Sequence, residues 1–159
     1  MLSLAHPRIK RIPILMLLAT LLLSLVAHGE AEAAPKAQRV ERRLMNQERR
    51  PKARATFRLD HGLSRIARRH SRRMARTGTL HHNPNLVDQV QGRRWQRLGE
   101  NVGVVGPTGD LRETLRLLHG AFMNSDAHRR NILYRPFRRV GVGLVRDDGL
   151  VWVTVVFLG

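Results

Sequence analysis

The segment LVWVTVVF, residues 150–157, is almost continuously apolar and rich in β-branched side chains. Such side chains favour extended backbone, and the lack of a polar face is typical of a strand covered on both sides. Asp-Asp-Gly at 147–149 is a hairpin turn signal that joins this strand to the alternating segment 138–145. We therefore expect residues 150–157 to form a central strand, with Trp152 packed beneath a helix.

The strongest helical periodicity lies in residues 61–76. Apolar side chains recur at helical spacing along one face, and the opposite face is rich in arginine. Asp60 is a suitable N-cap, and Gly78 is a suitable C-terminal stop. The predicted buried face contains Leu63, Ile66, Ala67, His70 and Met74. A histidine in such a stripe is more often a hydrogen-bonded core residue than a ligand.

Two further segments are predicted as helices, residues 40–50 and residues 111–122, the second capped by Thr108 or Asp110. Residues 98–106 are predicted as a short strand or bend because glycines interrupt an apolar run. Helices on both faces of a small antiparallel sheet would cover the central strand. The predicted fold class is therefore α+β, a three-layer α-β-α sandwich with a small antiparallel sheet.

Residues 123–133, MNSDAHRRNIL, combine a helix break, a cap and one new helical turn. Ser125 is a good N-cap, because its hydroxyl can accept a hydrogen bond from the free amide of residue 127 or 128. Asp126 then lies in the first turn, where the helix dipole favours a negative charge. The imidazole of His128 is thereby directed from a helix N-terminus, which makes His128 a candidate site residue.

The N-terminus has the parts of a secretory signal peptide. Three basic residues precede an apolar run at 14–27, and Ala-Glu-Ala at 31–33 is a cleavage signal. The run is too short and wrongly flanked for a membrane span, so we expect none in the mature chain and export by the general secretory route. An uncleaved anchor is the alternative. Residues 1–33 are thus predicted as a signal peptide, 34–39 as a linker and 40–159 as one domain.

The composition restricts the chemistry and the partners. The chain has no cysteine, which excludes disulfides, thiolate metal sites and cysteine nucleophiles. It has 29 Lys and Arg against 12 Asp and Glu, a net charge of +17. Such a basic protein attracts polyanions, for example anionic lipid or cell-wall polymer, unless arginine only supplies a soluble surface. Secretion argues against nucleic acid, and the sequence does not determine the oligomeric state.

Two more polar positions are candidate site residues. The loop at 79–86 contains His81 and His82 beside an Asn-Pro turn signal. Adjacent histidines cannot easily face one site, so at most one of them is expected to be functional. Glu100 is a carboxylate in a segment of glycine and valine. Acids are rarely buried unless they are paired, so Glu100 either has a partner or faces water at an edge.

Five short motifs follow one another through nearly all of the chain after the signal segment. They are His-Asn-Pro at 82–84, Gly-Glu-Asn-Val at 99–102, the stretch 123–133, Val-Gly-Val-Gly at 140–143 and Trp-Val-Thr-Val-Val-Phe at 152–157. None is specific alone, but in this order they resemble the CAP superfamily, also called SCP/TAPS, in its bacterial secreted branch. The resemblance implies an α-β-α sandwich, in agreement with the predicted layers, and a secreted, extracellular or envelope protein.

The resemblance also implies a cleft with two histidines and an acid. By motif these are His82, His128 and Glu100, and Ser125 stands where animal members carry a second acid. We therefore predict that His82, Glu100, Ser125 and His128 line one cleft, with His70 and His81 outside it. The alternative is that these polar residues form a hydrogen-bonded structural cluster.

Two neutral imidazoles suit Zn²⁺ or another divalent ion, bound weakly because His82 and His128 are the two protein ligands. The sequence favours a binding module for an envelope, lipid or cell-wall component over an enzyme. The alternative is a metal-assisted hydrolase or peptidase in which Glu100 is the catalytic base. Neither a Ser-His-Asp order nor an H-E-x-x-H motif supports the hydrolase. A structural or signalling envelope protein without a small ligand is a third hypothesis.

Overall fold

The computed structural model describes residues 35–159. The predicted signal peptide and its cleavage site lie outside the described residues. The elements, in chain order, are α1 (35–49), a 3-10 turn (Arg50–Lys52), β1 (Arg58–Leu59), α2 (His61–Thr77), α3 (Leu86–Gln89), β2 (Leu98–Val105), α4 (Leu111–Asn124), α5 (Asp126–Leu133), β3 (Arg139–Asp147) and β4 (Leu150–Leu158). None of the described helices is long and apolar enough to cross a membrane.

The sheet has the strand order β1-β3-β4-β2. β4 lies between β3 and β2 and is antiparallel to both, which confirms the predicted central strand. Asp148 and Gly149 join β3 to β4 with φ values of 45° and 66°. Positive φ at both central residues matches the twist of a two-residue hairpin. β1 pairs with β3 in parallel over two residues.

The helix α2 covers one face of the sheet. Alternate residues of β4 contact it, and Trp152 is buried against Met74 and Ala75, as predicted. Ser71 donates from its hydroxyl to Thr154 Oγ1 at 2.9 Å, so the polar groups at this contact are satisfied. The predicted apolar stripe of α2 is buried, including His70.

The remaining alternate residues of β4 face α1, α4 and α5 on the other side. This second core contains Val151, Val153, Val155 and Phe157 of β4 together with Met45, Leu115, Phe122 and Ile132 of the helices. The continuous apolar run of β4 is therefore divided between two cores. The result is the predicted three-layer α-β-α sandwich.

The helix α1 begins before the predicted position. Residues 35–39, predicted as a linker, are helical, and Ala37 is 1% exposed within the second core. The domain therefore includes residues that the sequence analysis placed in a linker.

Arg49 connects the end of α1 to the rest of the domain by hydrogen bonds. Its guanidinium donates to the carbonyls of Ala55, Ile132, Tyr134 and Phe137 at 2.6–3.1 Å. The same group lies 4.0 Å from the ring centre of Phe57. Burial, and then the charges of Arg138 and Arg54, lower the Arg49 pKa to about 10. The sequence analysis gave Arg49 no role.

Two of the predicted helix caps are formed. Asp60 accepts from the Leu63 amide at 2.9 Å, and Asp110 accepts from the Glu113 amide at 2.9 Å. The prediction for Ser125 is wrong in one respect. Ser125 is the N-cap of α5 and has extended backbone, but its hydroxyl makes no capping hydrogen bond.

Candidate functional site

Three elements carry the predicted cleft residues. His82 lies on the loop between α2 and α3, Glu100 lies on the edge strand β2, and His128 lies in the first turn of α5. Glu100 is opposite Val156 of the central strand, so the sheet fixes the position of its backbone.

His82 and Glu100 are in direct contact. Nδ1 of His82 lies 2.8 Å from Oε2 of Glu100, and the backbone amide of Asn83 donates to the same oxygen at 2.9 Å. A carboxylate only accepts, so in the neutral ring Nδ1 carries the hydrogen and Nε2 presents its lone pair. The Glu100 side chain is 6% exposed and the His82 side chain 66% exposed. A buried acid therefore orients an exposed imidazole.

His128 is close enough to His82 for their charges to interact. Burial, and then repulsion from His82, lower the pKa of His128 below its ordinary value. The His128 ring lies 5.0 Å from the ring of Phe122, between centroids. His128 therefore keeps its neutral form to a lower pH than a free imidazole. That the two imidazoles face one cleft stays a prediction.

Two asparagines join the strand of Glu100 to the helix of His128. Asn131 donates from its amide to the carbonyl of Glu100 at 3.1 Å and to Oδ1 of Asn101 at 2.9 Å. Asn101 is fully buried and donates to the carbonyl of His128 at 3.1 Å. Both asparagines belong to the sequence motifs, but no role was predicted for them. Asn101 is an amide within the apolar segment 98–106, whereas Asn131 lies in a mostly polar segment where no pattern marks it.

The other histidines of this region have different partners. His70 is buried, and its Nε2 lies 2.7 Å from the carbonyl of His81, as expected of a hydrogen-bonded core histidine. His81 contacts the carbonyl of Thr79 through Nδ1 at 3.0 Å. Among residues 35–159, the hydroxyl of Ser125 makes no hydrogen bond to His82, Glu100 or His128. Its predicted place in the cleft stays a prediction.

His82 and His128 are the two imidazoles of this region that could ligate a divalent ion. His82 has its Nδ1 fixed by a carboxylate and its Nε2 free, which is the usual arrangement of a metal-binding histidine. His128 is the second imidazole. Within the described part of the chain, no group of three or more His, Cys, Asp or Glu side chains is arranged to hold a metal ion. Weak binding of a divalent ion by His82 and His128 alone, with water in the other positions, stays a prediction.

The sequence model of the cysteine-rich secretory protein family, CAP, matches residues 42–157. The chain therefore belongs to the CAP family. No match was found among curated proteins. The family assignment agrees with the motif order and with the α-β-α architecture.

Solved structures share the fold at low sequence identity. An extracellular SCP-domain protein from Bacillus anthracis is 24% identical with a TM-score of 0.64, over 78% of this chain and 40% of that one. A cysteine-rich secretory protein from Staphylococcus aureus is 23% identical with a TM-score of 0.61, over 78% and 38%. NaASP2, solved with Zn²⁺, is 14% identical with a TM-score of 0.56, over 79% and 78%. This chain thus spans about two fifths of the two bacterial proteins.

Proposed function

We propose that this chain is an exported CAP-domain binding module that engages an anionic component of the cell envelope, lipid or cell-wall polymer. The observation that carries the proposal is the uncompensated arginine surface. Acids are few, and two of them, Glu41 and Glu100, are buried against histidines. The exposed face of α2 alone presents Arg65, Arg69, Arg72, Arg73 and Arg76.

Such a surface attracts polyanions and speeds their association. The similarity to an extracellular SCP-domain protein supports an envelope or extracellular location. Because most of the arginines are exposed, their attraction for a charged target is screened by salt. The proposal therefore predicts binding that depends on both the charge of the target and the ionic strength.

The test is sedimentation of the protein with vesicles and with cell-wall fragments at several salt concentrations. We expect retention on vesicles containing phosphatidylglycerol or on anionic wall polymer, no retention on phosphatidylcholine alone, and release as salt rises from about 0.05 M to about 0.5 M. Equal retention on neutral and anionic targets, or no retention on either anionic target, would contradict the proposal.

The cleft adds a second part to the proposal, weak binding of a divalent ion by His82 and His128. The support is the fixed Nδ1 of His82, the proximity of His128, and a structural neighbour solved with Zn²⁺. When bound, such an ion would supply a positive charge that can bridge the cleft to an anionic group. Glu100 and Asn83 would hold the His82 ring in position.

Calorimetric titration with Zn²⁺ tests the cleft directly. We expect affinity to fall in His82→Ala and in His128→Ala, and to be unchanged in His81→Ala, because His81 contacts Thr79 instead. Affinity should also fall below about pH 6, since a protonated imidazole cannot ligate. Unchanged affinity in both cleft variants would remove the metal site.

The contacts of Glu100 favour a positioning role over that of a catalytic base. Its Oε2 already accepts from His82 and from the Asn83 amide. The hydrolase hypothesis stays a prediction, with Glu100→Gln as its test. If the wild-type protein has a measurable peptidase activity and the folded Glu100→Gln protein loses it, Glu100 is catalytic. The cleft would then be an active site and not a binding site alone.

A further inference from the structure

An open cavity of about 330 Å³ lies between the α2 helix and the chain around α3. One wall is a row of arginines on the exposed face of α2. These are Arg69, Arg72, Arg73 and Arg76. They occupy positions i, i+3, i+4 and i+7, so all four side chains leave the helix on one side.

Among the described residues, the arginine wall has no acidic residue opposite it in the cavity. None of the four guanidiniums forms an ion pair or hydrogen bond within residues 35–159. Arg93, by contrast, is paired with Asp60 at 3.1 Å. Like charges at this spacing repel one another on a helix, so the row is a place where a bound anion would relieve repulsion.

The opposite wall is neutral and held in position. Asn83 is buried, and its amide donates to Oε1 of Gln89 at 3.1 Å. The Asn83 Oδ1 accepts from the backbone amide of Asn85 at 3.2 Å. These bonds occupy Oδ1 of Asn83 and Oε1 of Gln89, while the NH₂ group of Gln89 makes no hydrogen bond within residues 35–159. Gln89 can therefore add a donor to those of the arginine wall.

We propose that this cavity binds an anion with at least two phosphate groups, such as a short oligophosphate or a segment of a phosphodiester polymer. The planar fork of arginine matches phosphate oxygens with two parallel hydrogen bonds. Arg69 with Arg73 and Arg72 with Arg76 each span one helical turn, and the whole row extends on the order of 10 Å along the axis. A single small anion would engage only part of that row.

The inference deepens the proposed envelope function, on which its biological meaning rests. It assigns the anionic component a chemical class and a place on the domain. The cavity adjoins the His82–Glu100 contact, because Asn83 lines the cavity and donates its backbone amide to Oε2 of Glu100. The four arginines belong to α2 and contact neither His82 nor Glu100.

The test uses tripolyphosphate and inorganic phosphate as calorimetric probes, with the full mature protein at moderate salt. The site variant is Arg72→Gln/Arg76→Gln. The matched control is Arg58→Gln/Arg146→Gln, two exposed arginines outside the cavity with the same loss of charge. Glutamine is a good helix former, so the site variant should keep its helix, and circular dichroism checks the fold of both variants.

We expect one tripolyphosphate per protein, at least about tenfold weaker binding in the site variant, and less than about twofold change in the control. Inorganic phosphate should bind at least about tenfold more weakly than tripolyphosphate. An equal loss in both variants would show that only net charge matters. That result, absence of tripolyphosphate binding, or equal affinity for inorganic phosphate would each overturn the proposal.

Vesicles containing phosphatidylglycerol separate the sources of phosphate. Loss of both vesicle and tripolyphosphate binding in the site variant would identify neighbouring lipid headgroups, each supplying one phosphate, as the ligand. Loss of tripolyphosphate alone would identify a soluble or wall-bound phosphate polymer. Wild-type protein that binds tripolyphosphate but no envelope material would refute the proposed function and leave the phosphate site supported. Wild-type protein that binds envelope material but no tripolyphosphate would support the proposed function and refute the phosphate site.

Discussion

Arg49 is the residue whose loss should unfold the domain most readily. Its buried guanidinium satisfies four backbone carbonyls on two segments that α1 must hold. We expect Arg49→Met to lower the free energy of unfolding by about 3 kcal/mol or more, because buried acceptors are left unpaired. Arg49→Lys should rescue little, since an ammonium cannot reproduce the fork. Urea denaturation measures both, with the exposed Arg50→Ala as control. A midpoint for Arg49→Met equal to that of Arg50→Ala would contradict this role.

The pKa of His128 should depend on the presence of His82. Burial and the His82 charge lower its pKa, so His82→Ala should raise the His128 pKa but leave it below the ordinary value. The measurement is an NMR pH titration of the ring protons in metal-free protein, with His81→Ala as the control. An unchanged His128 pKa in His82→Ala would mean that the two rings do not share a cleft.

The lowered pKa of His128 also determines how the free energy of unfolding changes with pH. The unfolded chain takes up the His128 proton more readily than the folded domain does, because the folded pKa is the lower one. Stability from this group is therefore complete above about pH 6.5 and falls as the pH decreases toward the folded pKa. Acidification should weaken the domain through this residue.

At the scale of single residues, the sequence could predict those that occupy motifs. His82, Glu100 and His128 were found by the order of motifs, and the structure places His82 on Glu100 and within electrostatic reach of His128. Arg49 could not be found, because its partners lie up to 88 residues away. The buried pair of His119 and Glu41 is separated by 78 residues, and no local pattern marks it.

At the scale of elements, the contact between α2 and β3 depends on two glycines. A Cβ at Gly143 would overlap the backbone of Ala67 and Arg68, and one at Gly141 would overlap that of Leu63 and Ser64. Both positions are buried in β3. The absence of side chains there lets the helix lie directly on the strand.

Gly143→Ala should therefore separate the helix from the sheet. We expect a loss of about 3 kcal/mol in the free energy of unfolding, at the upper end for overpacking, because the obstacle is backbone and cannot move aside. Gly106→Ala is the matched control, since nothing lies within 4 Å of a Cβ there. Urea unfolding of both variants measures the difference. Similar midpoints would show that the α2–β3 contact is more adaptable than its geometry indicates.

The elements that carry strong local patterns were predicted well. α2, α4, the β3–β4 hairpin and the caps at Asp60 and Asp110 follow from spacing and turn chemistry. β1 was not predicted, because two residues are too few to show a period and its parallel pairing with β3 is a tertiary effect. The helical conformation of residues 35–39 was missed, because their polar and small side chains show no clear apolar period.

At the scale of the whole molecule, acidic and basic side chains differ in where they lie. Helices cover both faces of the sheet. Two of the chain's few acidic side chains are buried, Glu41 against His119 and Glu100 against His82. The surface is left strongly cationic by this arrangement. A fold that hides carboxylates and exposes arginines is suited to an anionic target, which is why salt dependence is the decisive property of the proposed function.

The last prediction concerns export, and it falls on residues outside the described part of the chain. Small residues at 31 and 33 form the cleavage signal, so secreted protein should begin at Ala34. Intact mass and N-terminal sequencing of protein from the culture medium measure this. Ala31→Arg/Ala33→Arg should block cleavage, whereas Ala34→Ser should not, because only the first pair lies in the signal. Secreted wild-type protein that still carries Met1 would contradict cleavage. Since the removed segment holds three basic and two acidic residues, the exported domain keeps the basic character on which its proposed binding depends.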